Sequence, residues 1–146
     1  MAKCTFFGHS DCDNSIKRAL IDKIHYLIEV ENVNVFYVGN NGFYDHLVIS
    51  VLEEIEKNKD IKFFVVLSQM PTGNNYFVEN CYNTILPEGI ETVFPKFAVI
   101  YRNKWMIDRS DFVVTYVNRP YGGAAKFYEL AIKKGKTVFN LGKYKS

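Results

Sequence analysis

The chain has 146 residues, of which 48% are hydrophobic and 23% charged, and its formal net charge is +2. This length and composition predict one globular domain over residues 1–146 and exclude a disordered chain. The basic residues are scattered and form no stripe, so we expect no nucleic acid among the partners.

Apolar runs rich in β-branched and aromatic residues alternate with amphipathic stretches. In chain order, the first half predicts strand, helix, strand, helix and strand at 3–7, 14–30, 33–38, 43–58 and 61–67. Asp13 or Asn14 can cap the first helix. The apolar residues of that helix fall on one face at helical spacing: Ile16, Leu20, Ile24, Leu27 and Ile28.

The stretch 68–96 differs from its surroundings because it holds three of the four prolines. An irregular stretch of this length is usually functional or flexible, and a short strand can lie within it at 91–94. Beyond it the sequence predicts helix, strand, helix and strand at 97–109, 111–117, 123–134 and 137–141, with Gly135 ending the second helix.

Strands that alternate with helices and lack polar positions are typical of a parallel sheet covered on both faces. We therefore predict an α/β fold, a single Rossmann-like doubly wound parallel sheet. Ligands of such folds bind outside the carboxyl ends of the strands, where the strand order reverses.

Cysteine usage and hydropathy indicate the compartment. The chain has an odd number of cysteines, Cys4, Cys12 and Cys81, and no signal peptide, which indicates a reducing environment. No apolar run is long enough to span a bilayer. We expect a cytoplasmic protein with no membrane partner.

Small and polar residues follow four of the predicted strands, at 8–12, 39–45, 68–71 and 118–123. Glycine turns that lead into helix amino termini offer free N–H groups to a phosphate or another anion, although each glycine alone is equally well explained as a plain turn. The predicted ligand-binding residues at this edge are Gly8, His9, Ser10, Gly39, Asn40, Asn41, Gly42, Asp45, Arg119, Tyr121, Gly122, Gly123, Ala124 and Lys126.

Familiar cofactor motifs are absent from the sequence. The turn Gly39–Gly42 does not have the dinucleotide-binding spacing, and there is no P-loop. His9, Cys12 and Cys81 fit no known metal-ligand spacing. We therefore predict neither a metal nor another cofactor.

The segment 101–130 resembles the Lonely Guy (LOG) branch of the SMF/DprA–LOG, or SLOG, superfamily. The residues in register are Arg102, Met106, Ser110, Asp111, Gly122, Gly123 and Glu129. A group of small bacterial and phage proteins of the same superfamily is similar over nearly the whole chain. The segments that carry this similarity lie at 6–12, 36–42, 86–91 and 102–114. The departures are Ser10 for Arg, Ala125-Lys126 for Gly-Thr, and Tyr121 for Pro.

The resemblance implies a nucleotide site, with Arg102 and Glu129 as catalytic residues and Arg102 also binding the ligand. A carboxylate can stabilise the oxocarbenium-like state of N-glycosidic cleavage, and a guanidinium can bind phosphate through two hydrogen bonds. From the residues alone, the favoured reading of both side chains is that they are ordinary surface charges.

Two functions follow from the resemblance. The first is a binding protein that senses or sequesters a nucleotide or an ADP-ribose-like signal, which for a phage protein would act against host defence in the host cytoplasm. The alternative is a LOG-like phosphoribohydrolase, so whether the protein is an enzyme is left open. The missing Gly-Thr favours binding, and the aromatic content of 16% agrees with it because rings stack on bases.

A structural or partner-binding role is a third reading. A homodimer or higher homo-oligomer is expected under all three, with Trp105 and Met106 as an apolar seam. The sequence leaves open the base, whether the ligand is cyclic, whether it is turned over, and the role of the 68–96 stretch.

Overall fold

The computed structural model describes residues 2–70 and 83–146, and within these ranges the strands form one parallel sheet. The strands are β1 (Ala2–Gly8), β2 (Val33–Val38), β3 (Lys62–Val66), β4 (Thr84–Ile85), β5 (Phe112–Tyr116) and β6 (Thr137–Asn140). Their order is β4-β3-β2-β1-β5-β6, and every neighbouring pair is parallel. The α/β fold with a Rossmann-like doubly wound sheet is therefore confirmed.

The described helices are α1 (Lys17–Glu29), α2 (Gly42–Glu56), α3 (Ala98–Asp108) and α4 (Gly123–Lys133). The side chains of β1 alternate between the two faces of the sheet, so this strand contributes to two separate hydrophobic cores. Cys4 and Phe6 pack with the residues of α1 and α2, whereas Phe7 packs with those of α3 and α4. Each pair of helices therefore covers one face of the sheet.

The helical periodicity of α1 accounts for its packing. Leu20, Ile24 and Leu27 are fully buried against the sheet, as their spacing predicts. The Asp13 carboxylate accepts the Ser15 N–H at 2.8 Å and caps the 3-10 turn at Asn14–Ile16 that leads into the helix. Asp13 therefore caps the entry to the predicted helix, whereas the N-cap of α1 itself is Ile16, whose side chain makes no capping bond.

The short strand predicted at 91–94 is wrong. Ile90–Thr92 forms a 3-10 turn, which follows Gly89 at a φ of +84°. The short strand instead lies at Thr84–Ile85 and pairs with Val65 and Val66 of β3. Prediction from local pattern missed it because two residues carry no periodicity, and their pairing with β3 is a long-range contact.

The proposed apolar seam at Trp105 and Met106 is also corrected. Met106 is 1% exposed and lies in the core, where its sulfur accepts the Thr5 hydroxyl. Trp105 packs edge-on against Tyr37 and beneath the Arg109 guanidinium. Met106 is therefore not available to a second chain, and the homo-oligomer remains a prediction.

Two predictions from composition can be set beside the described residues. None of the helices in these ranges is long and apolar enough to cross a membrane. Cys4 and Cys12 are buried and free, and Cys4 is part of the core. Cys81, Pro71 and the rest of 71–82 lie outside the described residues.

The side chain of Asn140 ties the end of β6 to β5 and to the C-terminal residues. Its Oδ1 accepts the Thr115 hydroxyl and the backbone N–H groups of Val117 and Gly142, at 2.9–3.0 Å. Its Nδ2 donates to the carbonyls of Val117 and Tyr144. One amide therefore satisfies five groups, and we call this arrangement the Asn140 clip.

Replacing Asn140 by Ala should lower the free energy of unfolding by about 2 kcal/mol, because partly buried backbone groups lose their partners. Urea denaturation followed by circular dichroism measures this. The exposed Asn58→Ala variant serves as the control and should change stability by less than about 0.5 kcal/mol. Equal effects of the two substitutions would show that water replaces the clip.

Candidate functional site

The strand order reverses at β1, which has β2 on one side and β5 on the other. The chain builds the sheet outward from β1 to β4 and then returns to β5, so the carboxyl ends of β1 and β5 flank the switch point. Parallel α/β folds bind ligands in the crevice at this point. The loops that form it are residues 9–13 and 117–122.

These two loops are joined by His9, which is 4% exposed. Its backbone N–H donates to the Tyr116 carbonyl, and its Nε2 accepts the Asn118 N–H at 3.1 Å. Burial lowers the pKa of His9, and the nearby positive charge of Arg119 lowers it further. The imidazole is therefore held neutral, as an acceptor requires.

Asp11 and Arg119 form an ion pair across the crevice. The two guanidinium nitrogens Nη1 and Nη2 each donate to a different carboxylate oxygen at 3.3 Å. Hydrogen bonding to Arg119 holds the pKa of Asp11 below its ordinary value. The same guanidinium lies 5.6 Å from the centre of the Tyr121 ring. The loop after β5 therefore presents a cation beside an exposed aromatic ring.

The turn after β2 brings the start of α2 to the loop after β1. Gly42 has a φ of +85°, which favours glycine, and the Phe43 N–H then donates to the Ser10 carbonyl at 3.3 Å. The Phe43 side chain is 41% exposed. Phe43 and Ser10 are thus neighbours beside the crevice.

Beneath this edge lies a buried guanidinium, that of Arg102, which is 2% exposed. Its Nε donates to Asn103 Oδ1 at 2.7 Å, and its Nη1 donates to Asn40 Oδ1 and to the Val66 carbonyl at 3.0 and 3.1 Å. Burial lowers the pKa of Arg102. The hydrogen bonds satisfy a charge that burial would otherwise disfavour.

Asp45 is the buried carboxylate on the other side of this cluster. It accepts the Asn41 N–H at 3.0 Å. Burial raises the pKa of Asp45 to about 6, against the opposing effects of Arg102 and that N–H. Gly39 fits between the two side chains, since a Cβ there would lie 2.9 Å from Arg102 Cζ and from Asp45 Oδ2. The cluster therefore requires glycine at 39.

A cavity of about 210 Å³ opens over the cluster. Side chains of α3 and the start of α4 form its walls together with the end of β1. Among its lining residues are Gly8, Asn41, Asp45, Ile100, Arg102, Asn103, Gly123, Ala124 and Phe127. Within the described ranges, no group of three or more His, Cys, Asp or Glu side chains is arranged to hold a metal.

Glu129 does not join this cluster. Its side chain is exposed, and its carboxylate accepts the Tyr144 hydroxyl at 3.4 Å. Helix α4 turns Gly123 and Phe127 towards the cavity. A residue two positions after Phe127 points to the opposite side of a helix. The structure thus separates the Glu129 carboxylate from Arg102, contrary to the expected pair.

The other predicted ligand residues fall into two groups. Those that line or contact the buried cluster are Gly8, Gly39, Asn40, Asn41, Asp45, Arg102, Gly123 and Ala124. Those on the loops and helix starts around the crevice are His9, Ser10, Gly42, Arg119, Tyr121, Gly122 and Lys126. Sequence reasoning missed Asp11, Phe43 and Asn103. For Asp11, the signal available in the sequence was an acidic residue just after one strand and an arginine, Arg119, just after another.

The parallel sheet and the crevice at its switch point define a Rossmann-like α/β protein. Comparison with solved structures identifies the fold more closely. DNA processing protein A (DprA) from Streptococcus pneumoniae matches 96% of this chain and 50% of its own, with a TM-score of 0.71 and 17% identity. DprA from Helicobacter pylori matches 95% and 64%, with a TM-score of 0.66 and 19% identity. These likenesses show the SLOG-type fold that the sequence resemblance implied. Neither a protein-family model nor a curated protein matches the chain.

The chain spans about half to two thirds of these neighbours' length. The H. pylori protein is described by its single-stranded DNA binding mode. This neighbour contradicts the predicted nucleotide-type small-molecule ligand, in both its sensor and phosphoribohydrolase forms. It equally contradicts the expectation that nucleic acid is excluded. The composition argument relied on the number and spread of basic residues along the sequence, which does not register how they are arranged on the folded surface.

Asp45→Asn should remove a pH dependence of stability. The folded chain raises the pKa of Asp45 from 3.8 to about 6, so its protonation stabilises the fold fully below pH 4 and this contribution is lost as the pH rises through 6. Between pH 4 and 7 the unfolding free energy of the variant relative to wild type should therefore rise by about 2 kcal/mol.

Urea denaturation at both pH values measures this difference. The exposed Asp60→Asn variant controls for the loss of one carboxylate. A relative stability that does not change with pH would contradict a buried, hard-to-ionise Asp45.

Proposed function

We propose that this protein binds single-stranded nucleic acid across the crevice at the carboxyl edge of its sheet. The observation that carries the proposal is a pair of exposed aromatic rings at the crevice: Tyr121, which lies beside Arg119, and Phe43, which bonds through its backbone to the loop of Asp11. Tyr121 is 68% exposed and Phe43 is 41% exposed, although aromatic side chains of this size are usually much more buried. The single-stranded DNA named for the H. pylori neighbour supports the same class of ligand.

A series of contacts joins the two rings. Phe43 bonds through its backbone to Ser10, and the next residue, Asp11, pairs with Arg119. Arg119 in turn lies over Tyr121. The rings therefore belong to one surface, which we call the crevice edge: Phe43, Ser10, Asp11, Arg119 and Tyr121. A strand laid along it would meet a ring, a cation and a second ring.

This alternation suits a polynucleotide. Bases of any sequence can stack on an aromatic ring, and each such contact is worth about 1–3 kcal/mol. The cation between the rings matches the phosphate that lies between consecutive bases. A duplex keeps its base faces stacked internally, so the same rings would have no base to contact. The surface therefore favours a single strand.

Further groups extend the crevice edge at the start of α3. Helix α3 leads into the amino end of β5, so its own amino end lies at the carboxyl edge of the sheet. Phe97 and Ile100 are 46% and 42% exposed there, and the Lys96 ammonium lies 5.0 Å from the centre of the Phe97 ring. These groups would give the strand a third stacking position, with its own cation.

Lys126 supplies a further cation, on the helix that follows the loop of Arg119 and Tyr121. Its side chain is exposed in the first turn of α4, where a positive charge opposes the helix dipole. A bound phosphate would remove that conflict. Lys126 and Lys96 would neutralise two phosphates, and Arg119 would neutralise a third if its charge were not already paired with Asp11, which predicts a modest salt dependence with a logarithmic slope of about −1.4 to −2.1.

The proposal leaves the buried cluster a supporting role. Arg102 and Asn40 hold the turn after β2, and that turn presents Phe43. That residues 1–146 act as one domain and that the protein is cytoplasmic remain parts of this proposal that follow from composition.

Replacing either Tyr121 or Phe43 by Ala should weaken binding of a fluorescent oligothymidylate of roughly 15 nucleotides by at least about fivefold, because each substitution removes one stacking position. Fluorescence anisotropy measures the dissociation constant at fixed salt. Tyr26→Ala is the matched control, since Tyr26 is 38% exposed on the distant half of α1. Tighter binding of a duplex than of the single strand would contradict the proposal.

Lys126→Ala should make binding less sensitive to salt. Loss of one phosphate contact reduces the slope of log K against log[salt] by about 0.7 for a single strand. The same anisotropy titration at several salt concentrations gives the slope. Lys57→Ala, at the far end of α2, removes an equal charge and should leave the slope unchanged. Identical slopes for the wild type and Lys126→Ala would remove Lys126 from the interface.

A further inference from the structure

We propose that Asp11 is a specificity residue that reserves Arg119 for polynucleotides. In the free protein its carboxylate occupies the guanidinium in the place a phosphate would take. Only a ligand that brings additional contacts, such as a base stacked on Tyr121, displaces it efficiently. This inference rests on the proposed function.

The geometry of the pair supports a substitute for phosphate. Arg119 donates from both terminal nitrogens to the two Asp11 oxygens at equal distances of 3.3 Å. Carboxylate and phosphate are recognised by guanidinium through the same two-pronged arrangement. The two residues come from different loops, one on each side of the switch point, so the pair crosses the path of the proposed strand.

The pair is also open to competition. The Asp11 side chain is 66% exposed and that of Arg119 is 34% exposed. Solvated ion pairs of this kind contribute little net free energy and exchange readily with other ions. Arg119 remains next to Tyr121 through its ring contact, so it is positioned for a phosphate when Asp11 moves away.

Selectivity follows from comparing what each ligand exchanges. Inorganic phosphate or a mononucleotide replaces one anion on Arg119 by another and leaves the Asp11 carboxylate close by, which gives little net gain. A strand makes the same exchange but adds stacking on Tyr121 and Phe43 and contacts to further cations. The pair thus lowers affinity for every anion at Arg119, and only the polymer has contacts to offset it.

Counterion release gives a second consequence. When a phosphate displaces Asp11, the freed carboxylate keeps its negative charge beside the strand. The exchange therefore neutralises no net charge at Arg119. If residue 11 is neutral, the same contact neutralises one phosphate, and the salt slope of single-strand binding should steepen by about 0.7.

The test is a double-mutant cycle with Asp11→Asn, Arg119→Gln and the double variant. In the wild-type background, Asp11→Asn should tighten oligothymidylate binding about two- to fivefold and steepen the salt slope. In the Arg119→Gln background the same substitution should change neither quantity. Thymidine monophosphate, used as a competitor, should gain at least as large a factor from Asp11→Asn as the oligomer does.

Asp108→Asn is the matched control. Asp108 is also ion-paired, to Lys134, and its side chain is 51% exposed, but it lies at the end of α3 and so at the opposite edge of the sheet. An equal gain from Asp11→Asn with and without Arg119, or from Asp108→Asn, would reduce the effect to overall charge and overturn the inference. Weaker binding by Asp11→Asn would overturn it as well, since Asp11 would then orient Arg119 productively.

The two proposals fail in different ways. If wild-type protein does not bind the oligomer, the proposed function falls and this inference with it. If the oligomer binds and loses affinity in Tyr121→Ala, but Asp11 and Arg119 act additively, only the specificity role of Asp11 is refuted.

Discussion

The burial of the Arg102 guanidinium is the constraint on which the carboxyl edge of the sheet depends. A charge that is 2% exposed must be hydrogen-bonded, and its partners come from three places: α3 itself, the end of β3 and the turn after β2. These bonds fix the helix against the sheet and the turn against the helix. The position of Phe43 at the start of α2 follows from that turn.

The edge has two layers with different physics. The inner layer is the Arg102 and Asp45 cluster, where burial shifts both pKa values towards the neutral forms. The outer layer is the crevice edge, where Asp11 and Arg119 are solvated and their pairing is exchangeable. The two layers are joined by the turn after β2, because Asn40 of that turn bonds to Arg102 and the turn leads into Phe43, whose N–H donates to the Ser10 carbonyl. A polymer needs only the outer layer to be accessible.

The sequence predicted those parts of the molecule that depend on local periodicity. The apolar face of α1 and the buried strands follow from spacing, and the parallel arrangement of the sheet follows from the alternation of strands and helices. Strand β4 could not be predicted, because its two residues are defined by their partners in β3. Met106 was placed at a surface because its neighbour Trp105 suggested a seam, yet a helix turns adjacent residues about 100° apart.

Prediction of the ligand class from the sequence was limited by a different factor. A net charge of +2 excluded nucleic acid only on the assumption that cations must be numerous. The structure places few cations at the crevice but sets one of them, Arg119, beside the exposed ring of Tyr121. Similarly, Arg102 and Glu129 matched a motif in register, but the motif could not reveal that Glu129 faces Tyr144. The direction in which a side chain leaves its helix decides whether Glu129 meets Arg102, and the spacing of a family motif does not give that direction.

The Asn140 clip gives the C-terminal residues a mechanical connection to the crevice. The clip holds Gly142 and Tyr144, and between them the Lys143 N–H donates to Asn118 Oδ1 at 2.8 Å. Asn118 immediately precedes Arg119. Tension applied at residue 144, by a fused domain or by a surface to which the chain is tethered, would therefore reach the Arg119 guanidinium through this hydrogen bond. An attachment at the start of β1 would instead pull on the opposite edge of the sheet.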